Sequence, residues 1–406
     1  MALFKSLKLG DLELSHRIAL APLTRLRANN DTLAPTKLAQ EYYEQRATPG
    51  GLLISEATCI SPEALIGNNV PGIWSKDQTE GWKKVVDAVH AKNGLISMQL
   101  WHTGRAAHDS MGRHPMADPE RMPTVGPSDI PAPGKTFGTI TGESLDYSKP
   151  RALTEEDISR IVDDYRRAAR NAREAGVDAI EIHAAHGYLI DQFLNDNPNN
   201  RMDKYGGSIE NRCRFLKEVL AAVGEEMPFT RIGVRISPQF EGTRRYYGCE
   251  DSNALELYSY VIRLLDSYDL AYLLLTEPRW TPLAYDDDHA KDPGYAMGLH
   301  NPQHFRKLYR GPIIGAGGFT PITGNDAVKD GLYDAIAFGR WFISNPDLVR
   351  RIREGLPLTP YHRDSFYKLG SPDGYIDYPM YDDIEDKSKL VSHDRIGKSL
   401  SELKTE

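Results

Sequence analysis

The chain has 406 residues, of which 40% are hydrophobic, and its formal net charge is -8 at neutral pH. This length predicts one large hydrophobic core, and the acidic balance argues against nucleic acid or an anionic membrane as a partner, because both require a basic face. The three cysteines are widely spaced without a CxxC pair, which argues against an iron–sulfur cluster, a zinc ribbon or a disulfide framework. With no signal peptide or membrane span, we expect a cytoplasmic protein.

The chain opens with a predicted β-hairpin, since "FKSLKLGDLELSHRI" alternates apolar and polar residues around the turn dipeptide Gly10–Asp11. Eight short apolar runs follow, and their bounding residues and β-branched content are typical of buried parallel strands. These runs cover residues 17–23, 50–61, 94–102, 178–185, 231–238, 270–278, 311–319 and 334–342.

Helical patterns separate the later runs. In residues 154–176, Thr154 and Asp157 resemble a capping arrangement, an apolar stripe follows, and Gly176 ends the pattern. Residues 208–227 and 251–268 have the same character.

Strands that alternate with helices predict a (β/α)8 TIM barrel, with the hairpin capping its N-terminal mouth. Long segments after the third and sixth strands, residues 103–150 and 279–300, predict long loops at the C-terminal face. The rival fold is a doubly wound open sheet, which often carries a GxGxxG loop after its first strand; no such loop occurs here. We therefore predict one barrel domain over residues 1–380 and a charged C-terminal extension over 381–406.

Polar residues lie near the ends of the predicted strands, where a barrel carries its active site. Gln99 and Trp101 end the third strand, and they could be either a recognition surface or a buried amide with a core tryptophan. Arg235 lies inside an apolar strand and therefore needs a permanent anionic or electron-rich partner, for which Glu181 is one internal candidate.

Glycines follow the last two strands. Gly317 and Gly318 end the seventh, and Gly339 and Arg340 end the eighth. Glycine lets backbone N–H groups approach a phosphate closely, and barrels commonly bind phosphate at these two loops. The pattern predicts a phosphate site.

The fourth strand ends in "IEIHAAHGY", which places His183, His186 and Tyr188 together. Asp191 and Glu181 lie nearby, but a metal site is disfavoured because the stretch has no HExxH motif or cysteine cluster, and no nucleophile elbow is present. Paired imidazole donors could stabilise negative charge on a substrate oxygen, and Tyr188 could supply a proton. The alternative is a set of polar residues that cap the strand.

The sequence resembles the old yellow enzyme family of flavin-dependent ene-reductases, as a fungal-like member. The resemblance rests on "APLTR", "MQLWHTGR", "IEIHAAHGYLIDQFLNDNPNNRMDKYGGSIENRCRF", "VRISP", "GAGGF", "FGRWFISNPDLVRRI" and "GYIDYP", in the family's order over roughly residues 4 to 380. It implies a barrel that holds FMN non-covalently at the C-terminal mouth and uses NADPH as co-substrate.

The resemblance also implies a role for each matched residue. His183 and His186 would bind the substrate's oxygen, and Tyr188 would be the catalytic proton donor. The residues implied to bind FMN are Pro22, Leu23, Thr24, Ala57, Gln99, Arg235, Gly317, Gly318, Gly339 and Arg340. Further residues implied to shape the substrate pocket are Trp101, Phe366 and Tyr367, with Trp280 and Tyr285 as weaker candidates.

The implied function is the reduction of the C=C bond of α,β-unsaturated carbonyl compounds, and of nitroalkenes, by hydride from the flavin and a proton from Tyr188. One alternative is a pathway-specific reductase or isomerase of specialised metabolism, acting on an alkaloid aldehyde or an oxophytodienoate-type substrate. Another is a non-catalytic protein that binds flavin or phenols. The expected partners are small activated alkenes and phenolic ligands, with a monomer or homodimer as the assembly and no metal.

Overall fold

A closed barrel of parallel strands forms the centre of the computed structural model, which describes residues 1–118, 120, 124–136, 138–238, 246–277 and 301–396. The barrel strands are β3 (Ile18–Leu20), β4 (Leu52–Ile54), β6 (Leu95–Trp101), β11 (Ala179–His183), β12 (Ile232–Ile236), β13 (Tyr272–Thr276), β14 (Ile313–Ala316) and β15 (Ala335–Phe338). Each pairs in parallel with its neighbours, and the β15–β3 and β6–β11 pairs complete the ring.

The eight predicted runs are therefore strands of one barrel, and the predicted fold class is confirmed. The run over 50–61 forms two elements, because the chain leaves β4 at Ser55 and pairs again with β6 at β5 (Thr58–Cys59). Most residues of these strands are buried on both faces, since side chains fill the barrel on one side and helices cover the other.

The helices follow the strands in chain order. They are α1 (Lys37–Arg46), α2 (Lys76–Ala91), α3 (Glu155–Glu174), α4 (Leu189–Leu194), α5 (Ile209–Arg212), α6 (Arg214–Gly224), α7 (Ala254–Asp266), α8 (Asn301–Phe305), α9 (Pro321–Lys329), α10 (Arg340–Ser344) and α11 (Leu348–Glu354). Short 3-10 helices span Ala2–Phe4, Pro62–Ala64, Asp109–Arg113, Phe229–Arg231, Tyr246–Gly248, Arg306–Leu308, Arg363–Ser365, Tyr381–Asp383, Lys387–Lys389 and His393–Arg395.

Helix α3 shows why the sequence pattern was informative. The Thr154 side chain accepts the N–H of Asp157, and the Asp157 side chain accepts the N–H of Thr154, so both halves of the capping box form. The predicted stripe packs inward at Ile158, Ile161 and Tyr165. The helix predicted over 208–227 is divided into α5 and α6 at Cys213.

The N-terminal hairpin closes the lower end of the barrel, as predicted. It consists of β1 (Leu7–Leu9) and β2 (Leu12–Leu14), which pair antiparallel around Gly10, a residue with φ +55°. The Asp11 N–H donates to the Thr230 carbonyl at 3.0 Å, just before β12 begins. The apolar face of the hairpin joins the core at the bottom of the barrel.

The predicted long loops extend from the opposite end. Residues 103–150 contain β7 (Val125–Gly126), β8 (Lys135–Thr136) and β9 (Leu145–Asp146), and β10 (Arg151–Ala152) follows them. The second predicted loop, residues 279–300, lies outside the described residues.

The described part of the C-terminal extension packs against the barrel. Leu358 and Val391 exchange two backbone hydrogen bonds of 2.8 Å, and the Tyr381 N–H donates to Asp347. In the part of the chain that is described, no helix is long and apolar enough to cross a membrane.

Candidate active site

The strand register brings the predicted site residues to one level of the barrel. His183 is the last residue of β11, and it pairs with Arg235 on β12. Glu181, two residues earlier, pairs with Gln99 on β6. Because carboxyl ends of parallel strands meet at one end of a barrel, these side chains converge on the C-terminal mouth.

His183 is held in one tautomer by its own loop. The backbone N–H of Ala185 donates to Nδ1 of His183 at 3.3 Å, so the neutral ring carries its proton on Nε2. His183 is 4% exposed, and burial together with nearby Arg235 lowers its pKa well below the ordinary value. His183 is therefore a neutral hydrogen-bond donor at neutral pH.

His186 occupies a strained backbone position beside it. Its φ is +57°, which a non-glycine residue rarely adopts, and its N–H donates to Ser237 Oγ at 2.7 Å. The two imidazole rings are 5.4 Å apart, and His186 Nε2 lies 3.1 Å from Thr276 Oγ1. Burial, Arg235 and His183 lower the pKa of His186 as well.

Tyr188 stands next to both a histidine and a tryptophan. Its ring lies 5.1 Å from that of His183 and 4.8 Å from that of Trp101. Its hydroxyl is 3.2 Å from the hydroxyl of Tyr247. Burial raises the pKa of Tyr188 well above the ordinary value, so the phenol keeps its proton at neutral pH.

Beneath the histidines, Gln99 and Glu181 form a buried pair. Gln99 Nε2 donates to Glu181 Oε1 at 2.6 Å, which turns the amide so that its oxygen faces away from the carboxyl group. Burial raises the pKa of Glu181.

Arg235 lacks the internal salt bridge that was its alternative explanation. Its Nε donates to Thr276 Oγ1 at 3.1 Å, and it forms no direct ion pair with Glu181, although both residues are described. Burial lowers the pKa of Arg235, and the Glu181 charge opposes that shift. The guanidinium is therefore a buried cation at the level of the histidines.

The glycines form a cradle at the ends of β14 and β15, which pair in parallel. Gly317 and Gly318 have φ of +99° and +68°, and a Cβ on Gly317 would lie 2.7 Å from the Glu277 carbonyl oxygen. Only glycine fits there. Gly339 precedes Arg340, which begins α10 and lies 5.4 Å from the ring of Tyr361.

The end of β3 lies next to this cradle. Pro22, Leu23 and Thr24 follow the strand directly, and a Cβ on Gly339 would lie 3.4 Å from Leu23 Cδ2. Ala57 is buried between β4 and β5.

The predicted pocket residues occupy different environments. Trp101 is buried against His183 and Tyr188, whereas the side chain of Tyr367 is 55% exposed. The ring of Phe366 lies 5.7 Å from that of Tyr361. The weaker candidates, Trp280 and Tyr285, lie outside the described residues.

Four residues around the site were missed by sequence reasoning or given no role there. Thr276 contacts both His186 and Arg235, and Ser237 holds the His186 backbone. Asp191, which the sequence suggested only as a possible metal ligand, accepts the Gly187 N–H with its carboxylate. Tyr247 meets the Tyr188 hydroxyl, and its only sequence signal is the Tyr-Tyr-Gly stretch after strand five.

Residues 2–359 match the NADH:flavin oxidoreductase / NADH oxidase family. The chain belongs to this family. It is 42% identical to 12-oxophytodienoate reductase 1 of Oryza sativa subsp. japonica, over 95% of this chain and 94% of that protein. It is 41% identical to 12-oxophytodienoate reductase 2 of Arabidopsis thaliana, over 92% of this chain and 94% of that protein.

Solved structures of old yellow enzyme homologues agree in fold. The homologue from Zymomonas mobilis is 39% identical with a TM-score of 0.82, covering 93% of this chain and 99% of that one. Morphinone reductase, solved in complex with tetrahydroNAD, is 40% identical with a TM-score of 0.81, covering 95% of this chain and 99% of that one.

These matches confirm the predicted old yellow enzyme family and the predicted oxidoreductase activity on activated alkenes at the level of that family. They establish a flavin-dependent enzyme whose family reacts with a nicotinamide nucleotide. The two 12-oxophytodienoate reductases are plant proteins.

Proposed function

We propose that this enzyme binds FMN non-covalently and uses NADPH to reduce the C=C bond of α,β-unsaturated carbonyl compounds, with Tyr188 as the proton donor. One observation carries the proposal. Two neutral imidazoles 5.4 Å apart lie beside a protonated tyrosine at the barrel mouth. The reduction of an enone needs this combination, because two donors must bind the carbonyl oxygen (the oxygen clamp, His183 and His186) and an acid must protonate the α-carbon.

The histidines would bind the carbonyl oxygen. His183 donates a hydrogen bond from Nε2 without carrying a charge. It therefore stabilises the negative charge that develops on the substrate oxygen, and it binds a permanent anion less tightly than a protonated imidazole would. His186, whose ring lies 5.4 Å from that of His183, would add a second donor. The benefit is largest in the transition state, where the oxygen becomes enolate-like.

The residues present fit FMN. The glycine cradle of Gly317, Gly318 and Gly339 places backbone N–H groups without side chains at the ends of β14 and β15, and Arg340 adds a cation, which is a donor set that suits a phosphate. Gln99 turns its oxygen away from Glu181, and Arg235 offers a buried cation without a direct ion pair to that carboxyl group. We propose that Gln99 and Arg235 hold the polar edge of the ring. Pro22, Leu23, Thr24 and Ala57 would line its sides.

When bound and reduced, the flavin supplies a hydride to the β-carbon of the alkene. Tyr188 then gives its hydroxyl proton to the α-carbon. The raised pKa of Tyr188 keeps this proton available at neutral pH. Trp101, Phe366 and Tyr367 would bound the pocket, with Trp101 also fixing the rings of His183 and Tyr188.

The relatives support an enone substrate, because two of them are named for 12-oxophytodienoate and one for morphinone. We therefore propose carbonyl-activated alkenes first, with nitroalkenes as a wider class. NADPH is proposed from the resemblance to the old yellow enzymes, and a direct comparison with NADH decides between the two donors.

The test begins with purification in the presence of FMN. The expected protein is yellow, is bleached by NADPH without air, and regains its colour on addition of 2-cyclohexen-1-one. A protein that takes up no FMN would disprove the cofactor assignment. A yellow protein that NADPH cannot bleach would favour a non-catalytic flavin- or phenol-binding protein.

The residue roles need a separate measurement of the two half-reactions. Tyr188→Phe should slow alkene reduction by about 10²-fold or more and leave flavin reduction by NADPH unchanged. Equal losses in both half-reactions would contradict the proton-donor role. A panel of cyclic and linear enones would then distinguish a broad reductase from a pathway-specific one.

We also propose that the protein works in the cytoplasm, as a monomer or homodimer. All three cysteines are free and buried, which fits a reducing compartment. Size-exclusion chromatography with light scattering measures the assembly directly.

A further inference from the structure

The 3-10 helix Tyr246–Gly248 packs directly onto the turn that carries the proposed catalytic groups. A Cβ on Gly187 would lie 2.3 Å from the Tyr246 carbonyl oxygen and 3.2 Å from the Tyr247 ring. The ring of Tyr246 meets that of His186 at 4.8 Å. Gly187 therefore lets the two segments approach more closely than any side chain would allow.

Tyr247 is held in place by a buried cation. The Arg105 guanidinium donates from Nη2 to the Tyr247 carbonyl at 3.0 Å and from Nη1 to the Ile130 carbonyl at 3.1 Å. Tyr247 itself has φ +50°, a conformation that costs free energy for a non-glycine residue. Neighbouring contacts enforce this conformation, and it places the phenol hydroxyl 3.2 Å from that of Tyr188.

We propose that Tyr247 is a second acid in the reaction, passing a proton to Tyr188 as Tyr188 protonates the substrate. This inference rests on the proposed function of Tyr188. Once Tyr188 has given up its proton, its oxygen can only accept a hydrogen bond, so the Tyr247 hydroxyl must be the donor across the 3.2 Å contact.

The step balances without a redox partner. The α-carbon gains a C–H bond as the Tyr188 O–H bond breaks, and Tyr188 regains an O–H bond as that of Tyr247 breaks. Tyr247 is only part-buried, so water can return the last proton. The net change is one proton moved from water to carbon. Tyr188 is part-buried like Tyr247, and its ring packs against Trp101 and His183, so the contact with the Tyr247 hydroxyl gives Tyr188 a direct route for reprotonation.

The first experiment uses the FMN-loaded full chain with Tyr247→Phe, and it measures the two half-reactions by stopped flow. Reduction by NADPH should be unchanged, and reoxidation by 2-cyclohexen-1-one should slow about tenfold. Reoxidation by a quinone, which needs no proton on carbon, should be unaffected. In a Tyr188→Phe background the Tyr247→Phe effect should vanish, because Tyr247 acts through Tyr188.

A matched control is Tyr147→Phe, which removes a hydroxyl from a ring that lies 5.7 Å from the Tyr247 ring. It should retain the wild-type rate of enone reduction. If Tyr147→Phe slows the reaction as much as Tyr247→Phe does, the cause is packing and the proposal is wrong. Proton inventories give a second readout: a curved plot for the wild type and a linear plot for Tyr247→Phe are expected.

The second experiment needs no turnover. Tyr188 is replaced by 3-fluorotyrosine in chains with and without Tyr247→Phe, and its ionisation is followed by fluorine NMR. Loss of the donor should raise the pKa of the fluorophenol, because its ionised form is then less stabilised. An unchanged pKa would overturn the proposal. Failure of the wild type to reduce any enone would instead refute the proposed function.

Discussion

Asp191 Oδ2 accepts the backbone N–H of Gly187 at 2.8 Å, in the middle of the turn that joins His186 to Tyr188. The same carboxyl group accepts from the Tyr258 hydroxyl at 2.9 Å and from the Asn195 amide at 3.0 Å. It is fully buried and lies three residues after Tyr188. Asp191 is therefore an anchor that ties the two histidines and the tyrosine to helices α4 and α7.

Two substitutions of Asp191 distinguish the contribution of its hydrogen bonds from that of its charge. Asp191→Ala leaves several buried donors without an acceptor and should lower the free energy of unfolding by about 2–3 kcal/mol. Asp191→Asn keeps an acceptor for the Gly187 N–H and should retain more enone reduction than the alanine variant. Urea unfolding and steady-state kinetics measure both. Equal activity in the two variants would contradict the anchoring role.

The charge of Asp191 predicts a pH dependence with a definite sign. Burial raises its pKa from 3.8 to about 6, so the folded protein binds this proton more tightly than the unfolded chain. The contribution to stability is full below the unfolded pKa and is lost as pH rises through about 6. Between pH 3.8 and about 6, the unfolding free energy of Asp191→Asn should depend less on pH than that of the wild type.

Gly187 tests the close approach at the same turn. Gly187→Ala places a methyl group 2.3 Å from the Tyr246 carbonyl oxygen at φ +72°, and it should abolish enone reduction and phenol binding. Gly207→Ala is the matched control, because Gly207 has φ +76° and an added methyl group would meet no described heavy atom within 4 Å. The control should cost only the left-handed strain, about 1–2 kcal/mol, and keep its activity.

If the two variants lose activity equally, backbone strain alone explains the effect and the contact with Tyr246 is unimportant. Thermal unfolding measures the loss of stability in each variant, and phenol titration measures the loss of ligand binding.

The strands and the proximity of three residues of the candidate site could be predicted because their signals are local. His183, His186 and Tyr188 lie within six residues of one strand end, so the position of β11 in the barrel determines their location. The hairpin and helix α3 carried their own turn and capping signals. Such features require no knowledge of which strands become neighbours.

The residues that support the site, such as Thr276 and Tyr247, could not be predicted from local signals. Thr276 reaches His186 over 90 positions, and Tyr247 reaches Tyr188 over 59, through pairings that only the closed barrel creates. A threonine that ends an apolar strand has many ordinary explanations. No local signal predicts the break between α5 and α6 at Cys213 either, because the backbone there stays near helical values.

Thr276 is expected to couple the oxygen clamp to the buried cation. Thr276→Val keeps the side-chain shape but removes the hydroxyl that contacts His186 Nε2 and accepts from Arg235 Nε, each at 3.1 Å. We expect a loss of about 1–3 kcal/mol in unfolding free energy and weaker binding of a para-substituted phenol. Thr230→Val, at the opposite end of the barrel, is the control and should leave phenol binding unchanged.

The histidines predict how ligand binding depends on pH. Burial lowers the pKa of His183 and His186 well below the ordinary value, so both stay neutral above about pH 6. Phenol affinity between about pH 6 and about pH 8 should follow only the ionisation of the phenol itself. If phenol affinity also followed the titration of a protein group in this interval, and that titration disappeared in His183→Ala, the imidazoles would be shown to change charge.

Arg27 is expected to hold the pocket segment that contains Phe366 and Tyr367. Its guanidinium is buried and donates to five backbone carbonyls, those of Arg25, Ser365, Phe366, Ser371 and Asp373. The pKa of Arg27 is lowered to about 10, chiefly by burial and by neighbouring Arg25, so the group remains charged at neutral pH. Arg27→Lys keeps a charge but loses the planar fork that reaches several carbonyls at once.

We expect Arg27→Lys to lower the unfolding free energy by about 2–3 kcal/mol and to speed amide exchange in residues 363–375. KM for bulky enones should rise more than kcat falls, because the pocket wall loosens while His183, His186 and Tyr188 keep their places. Arg310→Lys is the control, since Arg310 is exposed and pairs with Asp266 at the surface. If kcat fell equally for small and bulky enones, Arg27 would act on the catalytic residues and not on the pocket segment that contains Phe366 and Tyr367.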